Sequence, residues 1–299
     1  MRPGTRRKTF LVLFLLSTLA APAARAQEDA DAWRLLTLPA PEFKRTPPRA
    51  ATPRRGAARL TVVSTRRNQI TDEQEWFARH GLALPVYEIT DAPSPGWSSP
   101  AEPLPGFVPL RLRGLRLTKA IRQRDRVLAV YGEDFSSGRY LVALDAPTGR
   151  FSYGFDFANY AYAPGAPARE REFVYQDVAW AAEEGDTLYV AHAHRTYARS
   201  SRGMNAYLTA IDTRRGRVLW RSAPLVSNGS NFELVGEHIV SGYGFTNEAD
   251  FLYLLDKRTG EVRQRLPVRS GPEYIIRKGD RLHVRAYDTD LVVRLVGAK

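Results

Sequence analysis

Cysteine is absent from the 299-residue sequence. Its absence excludes a disulfide framework, a thiolate-ligated metal, a nucleophilic thiol and a lipid-anchored cysteine behind a leader. Long apolar runs are scarce as well. The longest, over 10–20, is too short for a membrane-spanning helix, which needs about 20 residues. The sequence therefore predicts no transmembrane segment.

Residues 1–26 predict a secretory signal peptide. The basic stretch Arg6–Lys8 precedes the apolar run, and Ala24–Ala26 provides the small residues of a cleavage site before Gln27. We expect cleavage after Ala26 and a periplasmic or secreted protein.

The net charge of +12 overstates the basic character of the exported chain. Five basic residues and no acid lie within 1–26, which leaves +7 for the remainder. The arginines are scattered, which favours a solvated surface over an anionic polymer or ligand, although both interpretations remain open. We expect no nucleic-acid partner.

The N-terminal part predicts a tether, a helix and a long loop. Residues 27–58 are rich in proline and arginine and predict a flexible tether, in which Trp33–Leu38 could dock as an edge strand. A helix is predicted over 72–80. Thr71 and Gln74 form a capping box at its start, and Gly81 ends it. The propeller domain is predicted over 59–299, with an irregular portion over 59–110.

A short phrase recurs three times, at Tyr140–Gly149, Tyr207–Gly216 and Phe251–Gly260. In each copy an apolar strand ends at an Asp, and a Gly follows four residues later. The Asp carboxylate can accept hydrogen bonds from the turn, and Gly can adopt the left-handed conformation that a tight hairpin requires. Three copies of one hairpin indicate a repeat architecture.

The repeat divides the chain into four units, at 112–157, 171–222, 231–267 and 273–296. The pattern predicts an all-β fold, a β-propeller of four-stranded antiparallel blades with one short N-terminal helix. We expect about four to five blades, in a complete or an incomplete ring. The last unit has only three strands, at Glu273–Arg277, Arg281–Tyr287 and Leu291–Val296. We expect Leu60–Ser64 to supply the fourth.

The stretch Tyr207–Trp220 resembles the repeat of the quinoprotein-dehydrogenase-like (PQQ-like) β-propellers, in which a Trp follows the turn Gly. Tyr153 and Gln264 occupy the Trp position in the other two copies. The resemblance implies blades, and it extends over about 112–296. Enzymes of this family hold the quinone against a vicinal disulfide and a calcium ion. This chain has no cysteine and no recognisable calcium motif, so we expect no cofactor and no catalysis.

Two groups of side chains are candidate binding sites. His192 and His194 are predicted to share a strand face, and a metal site would need His283 as a third ligand. Phe151, Tyr153, Phe155 and Phe157 alternate, which predicts one aromatic face. Structural roles are favoured for both groups: hydrogen-bonded or exposed histidines, and aromatic packing between blades.

The insertion over 195–203 is the candidate partner or ligand loop, through Arg195, Tyr197, Arg199 and Arg202. The sequence as a whole predicts an exported, non-catalytic propeller that binds or scaffolds a protein or a cell-envelope component. Two alternatives stay open: a ligand-binding enzyme that uses the propeller funnel, and a binder of polysaccharides or anionic surfaces. No residue is predicted to be catalytic, to bind a cofactor or to ligate a metal.

Overall fold

Three four-stranded antiparallel sheets and one six-stranded sheet, built on four antiparallel strands, form the body of the protein. The structure, a computed structural model, describes residues 30, 32–49, 56–68, 73–89, 102–134 and 137–297. The predicted signal peptide and the predicted N-cap Thr71 lie outside the described residues. No helix within these ranges is long and apolar enough to cross a membrane.

Twenty strands and one α-helix follow one another along the described part of the chain. The N-terminal elements are β1 (Leu36–Thr37), β2 (Arg59–Arg67), α1 (Glu73–His80), β3 (Tyr87–Glu88), β4 (Glu102–Pro103) and β5 (Arg111–Leu112). Blade 1 contains β6 (Leu115–Arg122), β7 (Arg126–Gly132), β8 (Tyr140–Asp145) and β9 (Phe151–Asp156). Blade 2 contains β10 (Asp177–Glu184), β11 (Thr187–Ala193), β12 (Tyr207–Asp212) and β13 (Arg217–Arg221).

The C-terminal part follows the same plan. Blade 3 contains β14 (Glu233–Val235), β15 (His238–Tyr243), β16 (Phe251–Asp256) and β17 (Val262–Pro267). Blade 4 contains β18 (Pro272–Lys278), β19 (Arg281–Ala286) and β20 (Thr289–Val296), with β2 as its fourth strand. The described residues form a β-propeller with four blades and one short α-helix, and four is within the four to five blades that the repeat predicted.

The predicted ring closure is confirmed. Strand β2 pairs antiparallel with β20 in a register that places Leu60 opposite Leu295 and Ser64 opposite Val292. The side chain of Gln264, on the outer strand of blade 3, fixes β2 further. Its amide accepts from the Leu60 amide nitrogen at 2.6 Å and donates to the Leu60 carbonyl at 3.1 Å.

Helix α1 and the segment after it lie between blades 4 and 1. Phe77 packs edge-on against Tyr274 of blade 4, with ring centroids 5.2 Å apart. Downstream, the backbone of Val86 bridges to Ile121 of blade 1. The helix ends as predicted. Gly81 has φ +58°, and the Leu82 amide donates to the Phe77 carbonyl at 2.9 Å.

Residues 32–49 differ from the flexible tether expected over 27–58. Strand β1 pairs in parallel with β9 and extends the sheet of blade 1, which is the edge docking considered for Trp33–Leu38. Leu38 is fully buried. Further along, the Tyr207 hydroxyl donates to the Lys44 carbonyl at 2.6 Å. The proline-rich composition allowed for extended backbone, but specific contacts hold that backbone on blades 1 and 2.

The three Asp hairpins have the same geometry. In each, the turn Gly has positive φ, and its amide donates to the Asp carbonyl at 2.8 Å. Each Asp carboxylate also accepts a turn amide at 3.0 Å, at Asp145, Asp212 and Asp256. The hairpins therefore follow from hydrogen bonds within five residues of chain.

A β-bulge follows each of these hairpins and changes the predicted aromatic face. In blade 1 the bulge lies at Ser152, between Phe151 and Tyr153. Phe151 consequently stacks on Trp33 at 5.1 Å, in the apolar cluster on one side of blade 1. Tyr153, Phe155 and Phe157 face the cluster shared with blade 2. The prediction that all four rings share one face was wrong for Phe151, because a bulge inserts a residue and breaks the alternation.

Trp220 connects blade 2 to the hairpin of blade 3. Its indole Nε1 donates to the Lys257 carbonyl at 2.9 Å, and its ring covers Gly260. A Cβ at Gly260 would lie 2.3 Å from the ring, so glycine is required there both for its φ of +70° and for space.

Substitution of Gly260 tests this packing. We expect Gly260→Ala to lose about 2–4 kcal/mol of unfolding free energy, because left-handed strain adds to the clash with Trp220. Gly236, in a hairpin with φ +54° and open space around its Cβ position, is the matched control. Gly236→Ala should lose about 1 kcal/mol, from the strain alone. Equal losses in urea unfolding would contradict the role of Trp220.

Candidate functional site

One end of the propeller carries the long loops, and we call it the loop face. It comprises the connections between second and third strands and those between successive blades, whose described residues are 133–134, 137–139, 157–176, 194–206, 222–232, 244–250, 268–271 and 287–288. The up-and-down order of the strands places all of these at the same end. The Asp hairpins lie at the opposite end.

A cavity of about 640 Å³ opens on the loop face, and all four blades line it. Its charged and polar lining includes Lys119, Asp177, His194, Arg195, Asn228, Asp250, Arg269, Glu273 and Asp288. The volume lies within the range of small-molecule sites, roughly 300–1,000 Å³. The cavity is the funnel expected of a propeller.

Lys119 and Asp177 lie on the wall between blades 1 and 2. The Lys119 ammonium donates to the carbonyl of Ala179, and Asp177 Oδ1 accepts from the Gly138 amide at 2.9 Å. Burial, together with the positive charge of Arg195, lowers the pKa of Lys119 to about 7. Burial also raises the pKa of Asp177 to about 7. Both groups therefore titrate near neutral pH inside the cavity.

His194 holds the insertion loop to blade 2. Its ring Nε2 lies 2.7 Å from Ser201 Oγ, and its backbone amide donates to Asn205 Oδ1 at 2.8 Å. Burial lowers the pKa of His194 to about 4. The ring is therefore neutral at physiological pH, where it acts as a hydrogen-bonding group of the loop.

Acidic groups line the other half of the cavity. Asp288 accepts from Ser270 Oγ at 2.6 Å and pairs with Arg269 at 3.1 Å, and hydrogen bonds from Ser270 and Thr289 lower its pKa. Burial raises the pKa of Asp250 to about 6 and that of Glu273 to about 7. The cavity thus combines fixed and titratable charges of both signs.

The four predicted loop residues do not form one site. Arg195 lines the central cavity, whereas Tyr197, Arg199 and Arg202 line a second, shallower depression of about 730 Å³ beside Glu248. Glu248 Oε1 accepts the Ala198 amide at 2.8 Å and so anchors this loop to blade 3.

The exposed aromatic side chains of the described residues all lie on the loop face. They are Tyr162, Phe173, Tyr197 and Tyr287, and Tyr287 is 87% exposed. Exposed arginines lie in loops of the same face, at positions 169, 171, 195, 199, 202 and 269. Sequence reasoning found the arginines and the tyrosine of one insertion but missed the other three aromatics, because their loops are separate in sequence and carry no shared motif.

The histidines do not form a metal site. His192 is buried against Phe157 and Tyr160, with ring centroids at 4.7 and 5.0 Å, and His283 lies beside His80 of α1 at 5.9 Å. Within the described ranges, no three His, Asp or Glu side chains group in a way that could hold a metal.

No protein-family model and no curated protein matches the chain. Among solved structures it is similar to the designed Ika4 protein, with 12% identity, a TM-score of 0.40 and coverage of 61% of this chain and 93% of that one. BamB from Moraxella catarrhalis shows 14% identity, a TM-score of 0.30 and coverage of 58% and 71%. The designed Ika8 protein shows 12% identity, a TM-score of 0.42 and coverage of 63% and 48%, so the match spans about half its length. At these TM-scores the likeness carries no argument, and the propeller assignment rests on the strand topology.

The buried His194 predicts an acid-sensitive loop. Its pKa of about 4 lies below the usual 6.5, so the folded state binds fewer protons than the unfolded state between these values. The contribution of His194 to stability therefore falls as pH falls from 6.5 to 4. We expect His194→Gln to weaken this dependence in urea unfolding measured at several pH values. Parallel curves for the two proteins would contradict the prediction.

Proposed function

We propose that this protein is a non-catalytic β-propeller that binds a protein or another cell-envelope component through the loop face. The observation that carries the proposal is the segregation of every exposed aromatic of the described residues onto that face, among arginines. Tyrosine and arginine are enriched among the residues that dominate binding energy at protein interfaces. The rigid blades hold these loops in fixed positions.

We further propose that the chain is a relative of the PQQ-like propellers. The contact of Trp220 with the next blade's hairpin supports this, as do the bulges that recur three residues after each turn Gly. The repeat sequence suggested the hairpins and the position of Trp220, but not the bulges. The relationship implies an architecture and no particular activity.

The cavity supports a second candidate, a small-ligand site. Lys119 and Asp177 have pKa values near 7 and face a space of ligand size. Absorbance of the purified protein between 300 and 500 nm, together with metal analysis, separates a cofactor-dependent enzyme from a binding module. A chromophore retained in stoichiometric amount would favour the enzyme.

Cross-linking from an envelope extract tests the binding face. We expect partners captured by the wild-type protein to be lost with the double variant Tyr197→Ala/Tyr287→Ala. The matched control is Leu219→Ala, an exposed apolar residue on the outer strand of blade 2. It should retain the partners. Loss with the control but not with the double variant would refute the loop face, and capture of polysaccharide alone would favour the anionic-surface alternative.

The proposed location is the periplasm or the exterior of the cell, because residues 1–26 have the pattern of a signal peptide. Mass spectrometry of the exported protein should find Gln27 at its N-terminus. Recovery of the protein with Met1 intact, in the soluble cytoplasmic fraction, would refute export.

A further inference from the structure

A buried arginine lies between blades 1 and 2. Arg221, the last residue of β13, is 6% exposed. Its Cζ lies 4.1 Å from the ring centroid of Tyr207, and 4.9 Å from those of Phe43 and Tyr160. Aromatic faces attract a guanidinium, which explains why the side chain tolerates this position.

The N–H groups of the Arg221 guanidinium lack hydrogen-bond acceptors among the described residues. Its Nε, Nη1 and Nη2 are all buried, and none has an acceptor among the described residues. No described carboxylate forms an ion pair with Arg221. Burial lowers the pKa of Arg221 to about 10, so it is still charged at neutral pH. A buried charge without a counter-ion or hydrogen bonds is strongly unfavourable.

Other unpartnered polar groups of blade 2 share the face of Arg221. His192 lies opposite Tyr207, and Thr209 lies opposite Arg221. Tyr207 and Thr209 are two residues apart on one strand, so their side chains are on the same side of the sheet. Residues directly opposite each other share a side, so His192 and Arg221 are on that side too. Both ring nitrogens of His192 and Oγ1 of Thr209 are buried without a partner. The hydroxyl of Tyr160, from the loop above, is buried and unpartnered too.

We propose that this cluster, formed by Arg221, His192, Thr209 and Tyr160, binds a small anion between blades 1 and 2. The guanidinium supplies the charge and several donors, and the imidazole and two hydroxyls can each donate one hydrogen bond. Lys44 makes the position more positive, since its ammonium donates to the Arg221 carbonyl at 2.6 Å. None of these residues lines the central cavity.

The N-terminal segment covers the anion cluster. Phe43 lies on the guanidinium, and the Tyr207 hydroxyl donates to the Lys44 carbonyl at 2.6 Å. The anion would therefore be enclosed only when residues 43–44 are docked. Binding of the anion and docking of this segment should stabilise each other.

Thermal unfolding in different sodium salts tests the proposal, with isethionate as the reference at equal ionic strength. Chloride and acetate represent a halide and a carboxylate. At about five times its Kd, either anion should raise the midpoint of the wild-type protein by about 2–4 °C. Arg221→Met should abolish this rise. Arg217→Met, an exposed change at the start of the same strand, should retain it.

The same rise in Arg221→Met as in the wild type would overturn the proposal, as would no response of the wild type to either anion. Crystals of the wild-type protein grown in bromide provide a measurement that does not depend on the folding of any variant. We expect an anomalous peak between Arg221 and His192. A well-ordered cluster without a peak would show that water alone satisfies these groups and would overturn the anion site.

Discussion

The pairing of β2 with β20 is the contact on which the ring depends. Blade 4 has only three strands from the C-terminal part of the chain, and β2 covers the outer edge that β20 would otherwise leave open. Gln264 bonds to the backbone of β2 from blade 3, so the same strand also joins two blades. On the other side of blade 4, α1 and the residues after it connect Tyr274 to blade 1. The N-terminal residues therefore close the ring on both sides of blade 4.

The two ends of the propeller differ in the length of their loops and in the side chains that they expose. The hairpin end is built from short turns whose hydrogen bonds are internal, with Asp carboxylates on turn amides. The loop face carries the connections of variable length, the cavity and the exposed aromatics. Rigid blades keep loops that are distant in sequence at fixed separations, which is how a propeller assembles one surface from several of them.

Features encoded within a few residues could be predicted from the sequence, and so could the closing strand. The Asp and Gly of each hairpin define the turn locally, and Gly81 likewise defines the end of α1. The closing strand was predictable because an open edge is unfavourable. The docking of residues 32–49 could not be predicted, because a proline-rich composition does not indicate which surface of the fold the segment will contact. Lys119 and Asp177 meet only through blade packing, so no motif links them, and the bulge at Ser152 was hidden by an unbroken aromatic alternation.

The closing strand has a consequence for the order in which the chain folds. β2 leaves the ribosome among the first strands, but its partner β20 is made last, more than 220 residues later. Such a long-range pairing is slow to form, and until then β2 is a nine-residue strand with both edges unpaired. Exposed strands of this kind can pair with the wrong chain. The arginines at its two ends, Arg59, Arg66 and Arg67, place charge where apolar β-strands are commonly protected against aggregation. Three of the scattered arginines thus lie where they can protect the unfinished chain against aggregation.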